Sequence, residues 1–168
     1  MVDLSSLRSA EVLEGLTGAD LKKLGAIAQE EQSASGDRLI QRGALADTFY
    51  VVRDGRFALS IIMNAAGSQI EVTIEEKGRG AALGWSSLVE PRTSIYSIHC
   101  TLAGAVIGIP RPALLELMAA DPGLGYRFMT NLCQLIRSRA SALQDLWIEE
   151  VEQSMGRVKY WRERERRA

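Results

Sequence analysis

Phe49-Tyr50-Val51-Val52-Arg53-Asp54-Gly55-Arg56-Phe57-Ala58-Leu59-Ser60-Ile61-Ile62-Met63 is the stretch that decides the fold class. Its first four residues are aromatic or β-branched, which suits a pleated, buried strand. Asp54-Gly55 supplies a residue with easy access to positive φ and so predicts a hairpin turn. Beyond it, Phe57, Leu59, Ile61 and Met63 alternate with smaller or more solvent-tolerant neighbours, as a half-buried strand requires. The same grammar extends in both directions. Upstream, Gly36-Asp37 and Arg42-Gly43 bracket Leu39-Ile40. Downstream, a turn over 64–68 leads into Ile70, Val72 and Ile74, which alternate again. Glycines follow at Gly78, Gly80 and Gly84, and strands resume over 95–100 and 106–109. Many short strands with regular glycine turns predict a closed roll, sandwich or barrel.

Both ends of the chain read as helix. Between 11 and 29 the apolar residues Val12, Leu13, Leu16, Leu21, Leu24, Ile27 and Ala28 take helical spacing from Leu21 onward, with Thr17 or Asp20 as the cap. The element ahead of Gly15 and Gly18 is a separate helical turn. Pro110 and Pro112 end the last strand and open a helix over 113–120. Asp121-Pro122 is a cap followed by proline at the first helical position. From Leu124 a long helix is expected, with a near-heptad seam of Leu132, Ile136, Ala140, Leu143, Trp147, Val151, Ser154, Val158 and Trp161. Gly156 weakens that helix by roughly 1 kcal/mol relative to alanine. The expected division is therefore an N-terminal helical segment over 1–30, a β domain with a short helix over 31–120, and a long helix with a charged tail over 121–168.

Composition excludes several function classes. With 20 basic and 21 acidic residues the formal net charge is −1, which gives no overall attraction to nucleic acid or anionic lipid. The tail over 157–167 interleaves Glu163 and Glu165 with Arg162, Arg164 and Arg166, the pattern of a solvated helix end. No run approaches the ~20 apolar residues of a membrane span, so no membrane insertion is expected. The N-terminus lacks the basic start and apolar run of a secretory signal. Cys100 and Cys133 have no metal-ligand spacing and read as two thiols of a cytoplasmic protein. His99 is the single histidine, too few for the metal centre of a catalytic β-roll. There is no GxSxG, P-loop or HExxH motif, so no catalytic residues, metal or cofactor are expected.

The order of elements resembles the cyclic nucleotide-binding domain family, which includes the bacterial catabolite activator. Ser35-Gly36-Asp37-Arg38-Leu39-Ile40-Gln41-Arg42-Gly43 resembles the opening motif of that family. The run from Asp47 to Gly55 resembles its aromatic strand and turn. Leu83-Gly84-Trp85-Ser86-Ser87-Leu88 resembles the entry to its phosphate-binding cassette, and Asp121-Pro122 resembles its hinge to the C-terminal helix. The resemblance covers about residues 10 to 148. It implies a mainly β fold with flanking helices: a double-stranded, jelly-roll-like β-roll, an N-terminal helix and a long C-terminal helix.

The resemblance also implies a ligand site, with substitutions at its charged positions. In the family a glutamate after the cassette glycine takes the ribose hydroxyl, and an arginine further on neutralises the cyclic phosphate. Here Trp85 stands at the glutamate position and Ser87 at that of the usual alanine. Tryptophan donates a hydrogen bond but cannot accept one. Counting back from Val106-Ile107-Gly108-Ile109 puts Ser94 at the arginine position, with Arg92 two residues earlier as a displaced clamp or a solvated loop residue. The expected ligand-binding set is Gly84, Trp85, Ser86, Ser87 and Leu88 as the cradle, Arg92 and Ser94 as polar support, and Tyr96 and Leu143 closing the apolar side.

Burying a cyclic nucleotide's charge without a paired cation is costly. The sequence therefore predicts a sensory or regulatory domain that takes a cyclic nucleotide or another small ligand, with homodimerisation through its C-terminal helix. The competing expectation is a ligand-free scaffold or interaction module whose pocket is filled by its own side chains. The family's transcription factors carry a helix-turn-helix after that helix. Too few residues follow Trp147 for one, so DNA binding is not expected.

Overall fold

The computed structural model describes residues 2–65 and 67–165, and only the backbone of residues 65 and 156–165. It divides into two compact units, Met1–Leu132 and Cys133–Ala168. The first holds all six strands: β1 (Gln29–Ser33), β2 (Arg38–Ile40), β3 (Thr48–Ala65), β4 (Ser68–Lys77), β5 (Ala82–Leu83) and β6 (Ser97–Pro110). β3 and β6 pair antiparallel along most of their length. At one end they are flanked by β1, paired to β6 at 104–108, and β5, paired to β3 at 50–51. At the other end the flanking strands are β2 and β4.

Asp54-Gly55 is not the hairpin that the sequence predicts. The chain runs straight through it as one strand, and likewise the expected strands over 95–100 and 106–109 are a single β6. The physical reason is a set of bulges. The pairing slips between Val52 and Asp54, where β3 supplies the extra residue, and between Asp54 and Arg56 and between Arg56 and Phe57, where β6 does. Such bulges bend and twist a strand without ending it. The positive φ of 82° foreseen at Gly55 is there, serving the bend. A Cβ on Gly55 would lie 2.6 Å from the Leu102 carbonyl oxygen, and one on Gly104 would lie 2.4 Å from that of Asp54. The two backbones thus cross at a separation that only glycine permits. The bend gathers residues from both ends of the ladder into one core: Val52, Leu83 and Val106 from one end, and Phe57, Leu59, Ile98 and Cys100 from the other.

The opposite face of Phe49, Val51, Ile107 and Ile109 is fully buried, and Phe49 meets Phe128 edge-on at 5.5 Å. Phe128 belongs to α4 (Pro122–Glu165), which follows α1 (Leu4–Arg8), α2 (Gly18–Ile27) and α3 (Arg111–Ala120). α2 begins where the sequence predicts. The Thr17 hydroxyl accepts from the Asp20 N–H at 3.2 Å, and the Asp20 carboxylate accepts from the Thr17 N–H at 2.9 Å, a reciprocal capping box. Arg127 of α4 donates to the same carboxylate at 2.8 Å, tying the two helices. α4 starts behind Asp121 as expected, and Leu124, Phe128 and Leu132 are buried within the first unit.

In the second unit α4 continues as helix, through Gly156, to Glu165. Leu143, Leu146, Trp147 and Met155 are exposed there. The seam positions Val158 and Trp161 lie outside the described side chains. Among the described residues no helix is long and apolar enough to cross a membrane.

Two stability predictions follow from these contacts. Gly55→Ala combines a forbidden φ with a backbone clash and is expected to cost about 1–3 kcal/mol in urea unfolding of the full chain; a loss below about 0.5 kcal/mol would mean the crossing tolerates a side chain. Burial alone would raise the Asp20 carboxyl, but the Thr17 hydrogen bonds and Arg127 outweigh it and hold the group below 3.8. A depressed carboxylate stabilises the fold above its unfolded pKa, and that contribution fades as pH falls through the folded value. Asp20→Ala should therefore cost about 1–2 kcal/mol at pH 7, with the gap between natural chain and variant narrowing as pH falls through the lowered carboxyl pKa. A gap independent of pH would contradict the ionised cap.

Candidate functional site

β5 delivers the chain to Gly84, which adopts φ 69° and ψ 26°, the left-handed region. A Cβ there would lie 2.9 Å from the Thr48 carbonyl oxygen and 3.1 Å from Ile40 Cδ1, so glycine is required on both counts. The next four residues, Trp85–Leu88, form a single 3₁₀ turn, closed by the Ser87 N–H donating to the Gly84 carbonyl at 2.9 Å. Ser86 and Ser87 are buried, while Trp85 and Leu88 are half-buried. The Ser87 hydroxyl is completely enclosed and has no hydrogen-bond partner among the described residues. An enclosed hydroxyl left in that state costs about 1–3 kcal/mol.

The loop that follows is clipped onto residues 43–46. The Ala46 N–H donates to the Arg92 carbonyl at 2.8 Å, the Ser94 N–H to the Ala44 carbonyl at 3.0 Å, and the Gly43 N–H to the Ser94 carbonyl at 2.8 Å. Arg92 itself has φ 60°, an uncommon conformation for a side-chain-bearing residue. Its guanidinium lies 3.2 Å from the Asp47 carboxylate and 3.4 Å from that of Glu90. Arg92 is therefore placed against two acidic side chains of the chain itself. Ser94 is buried, and its hydroxyl donates to the Tyr96 carbonyl at 2.8 Å.

The turn over 84–88 and the loop over 92–96 belong to the first unit, whereas Leu143 lies in the second and is exposed. Tyr96 packs on the roll's core cluster alongside Leu39, Ile40 and Tyr50, all partly buried. Leu39, Ile40 and Tyr50 are missing from the sequence-based set. The signal for Tyr50 was present: it alternates with Val52 and so shares its face. What the sequence does not show is that Gly84 comes to rest against it, 3.5 Å from Tyr50 Cδ2 to the position of an added Cβ. Burial pushes the Tyr50 phenol up, and the nearby Glu31 charge adds to this, against a Thr48 hydrogen bond.

On another part of the roll, Arg38 pairs across strands with His99 and lies 3.6 Å from Glu71. Hydrogen bonding from Ser60 lowers the Glu71 carboxyl most, with Arg38 and His99 adding to it against burial. Among the described residues no three metal-ligating side chains converge. Both cysteines are free thiols, Cys100 buried and Cys133 exposed.

The fold is shared with a cyclic nucleotide-binding domain from Methylobacillus flagellatus, at TM-score 0.69 and 21% identity over 81% of this chain and 75% of that one. A cyclic nucleotide-binding-like protein from Brucella abortus aligns at 25% identity and TM-score 0.57, over 70% of this chain and 97% of its own. The catabolite activator protein of Thermus thermophilus aligns at 20% identity and TM-score 0.67, over 82% of this chain and 63% of that protein. No curated protein matches the sequence. The model of the cyclic nucleotide-binding domain matches residues 30–121, more than half of the sequence, and the chain belongs to that family.

Proposed function

We propose that this protein is a sensory, regulatory domain that receives a small ligand in its roll and acts as a homodimer through α4. The turn at Gly84 is the observation that carries this reading. Its left-handed glycine, its enclosed serines and its aromatic neighbours keep the architecture of a ligand cradle although the charged side chains are gone. Regulation rather than catalysis is the typical role of this family, and the sequence carries no GxSxG, P-loop or HExxH motif. Leu124, Phe128 and Leu132 anchor the first turns of α4 to the unit that holds the cradle. Occupancy of the cradle would thus bias the helix that leaves it, by stabilising one of two arrangements. Two unpaired thiols fit a cytoplasmic protein.

The dimer is read from the second unit alone. Leu143 and Trp147 are four residues apart, and 48% and 67% exposed. Large apolar side chains in water at seam spacing favour a partner, and an identical helix offers a self-complementary one. A ligand-free interaction module remains the reading if the roll accepts no small molecule.

Sedimentation velocity at micromolar concentration tests the dimer. The full chain is expected to sediment as a dimer and Leu143→Glu/Trp147→Glu as a monomer with an unchanged β circular-dichroism signal. A natural chain that sediments as a monomer throughout would contradict the reading.

A further inference from the structure

We propose that Arg92 and Arg111 form an anion site for a phosphate group, free or at the end of a small phosphomonoester, and that the Glu90 carboxylate is the group it displaces. The site lies between the loop that follows the turn at Gly84 and the first residue of α3. Arg111 comes after the last strand of the roll, outside the cassette that carries the family resemblance. The site therefore stands independently of what the roll receives.

The first observation is convergence. Arg92 comes from the loop and Arg111 opens α3, yet both approach Oε1 of Glu90, Arg92 Nε at 3.4 Å and Arg111 Nη2 at 3.8 Å. One oxygen within reach of both means that one small oxyanion can touch both.

The second is unused donor capacity. A guanidinium carries five N–H donors in a fixed fork. The Nε atoms of Arg92 and Arg111 are enclosed, and neither has a hydrogen-bond partner among the described residues. Arg92 Nε and Glu90 are thus an ion pair without the alignment of a hydrogen bond. The two side chains are 29% and 25% exposed, so each still reaches solvent. A buried donor without an acceptor is costly. The several oxygens of a phosphate suit two guanidinium forks better than one carboxylate oxygen does.

The third is how the neighbours are held. The Glu90 side chain is 74% exposed, so water takes up its carboxylate when it swings out, and little is lost. Asp47 instead positions both arginines. Its carboxylate accepts from Arg92 Nη1 at 3.2 Å, and its backbone carbonyl accepts from the Arg111 N–H at 2.8 Å. With Glu90 displaced, two cations face the single charge of Asp47, which leaves a net positive site for an anion.

NMR titration of the full chain with inorganic phosphate and with glycerol 3-phosphate, at neutral pH and constant ionic strength, reads the arginine Nε–Hε signals directly. The signals of Arg92 and Arg111 are expected to shift together and saturate. Glu90→Gln, at an exposed position, is expected to tighten binding about threefold or more by removing the competing carboxylate. Arg111→Gln is expected to weaken it about tenfold or more, with the β circular-dichroism signal unchanged. The tighter-binding probe tells whether the free anion or a phosphomonoester is the better fit, and either one supports the site. Shifts that never saturate, binding no tighter in Glu90→Gln, or binding unchanged in Arg111→Gln would each overturn the inference.

Discussion

The roll depends on the close crossing of β3 and β6 at Gly55 and Gly104. Two long strands pair on both sides of that point, and a flat ladder of this length would expose its apolar faces. The bulged crossing bends the ladder, so that Val52 and Val106 share a core with Phe57, Leu59, Ile98 and Cys100. Bringing the carbonyls of Asp54 and Leu102 this near leaves no room for a Cβ on either glycine. The turn and loop proposed as the ligand site are hung from this frame. β5 is placed by β3, Gly84 is placed by β5, and the loop over 89–95 is fastened to residues 43–46 beside it.

The loop that follows the turn at Gly84 is held by its own charged and polar groups. The arginine of the loop is turned toward Asp47 and Glu90, so it stabilises the loop's own shape. Ser94 is folded inward on Tyr96. Both are bonds internal to the loop.

The sequence made the class of fold legible through periodicity and glycine placement. Alternation at Phe57, Leu59 and Ile61 and the caps at Thr17 and Asp121 are local signals, and they correspond to the elements observed. The reading of Asp54-Gly55 as a hairpin failed because a turn and a bulge ask the same thing of a residue, a positive φ. The choice between them is made by a partner strand fifty residues away. The site was legible only in part for the same reason. Residues 84–96 are contiguous and could be named, while Ile40 and Tyr50 reach Gly84 through pairing that no local pattern encodes. The commitment of Arg92 to Asp47 was equally hidden, since it joins residues 45 apart in sequence.

Native-state hydrogen exchange on the full chain, resolved by residue, measures directly whether the crossing carries the roll. Amides of β3 and β6 on both sides of Gly55 and Gly104 should exchange only through global unfolding, with one shared free energy, while the turn over 84–88 opens separately and at lower cost. If the two ends of the β3–β6 ladder instead opened independently, with different free energies, the crossing would not unite them and the roll would not be the single frame described.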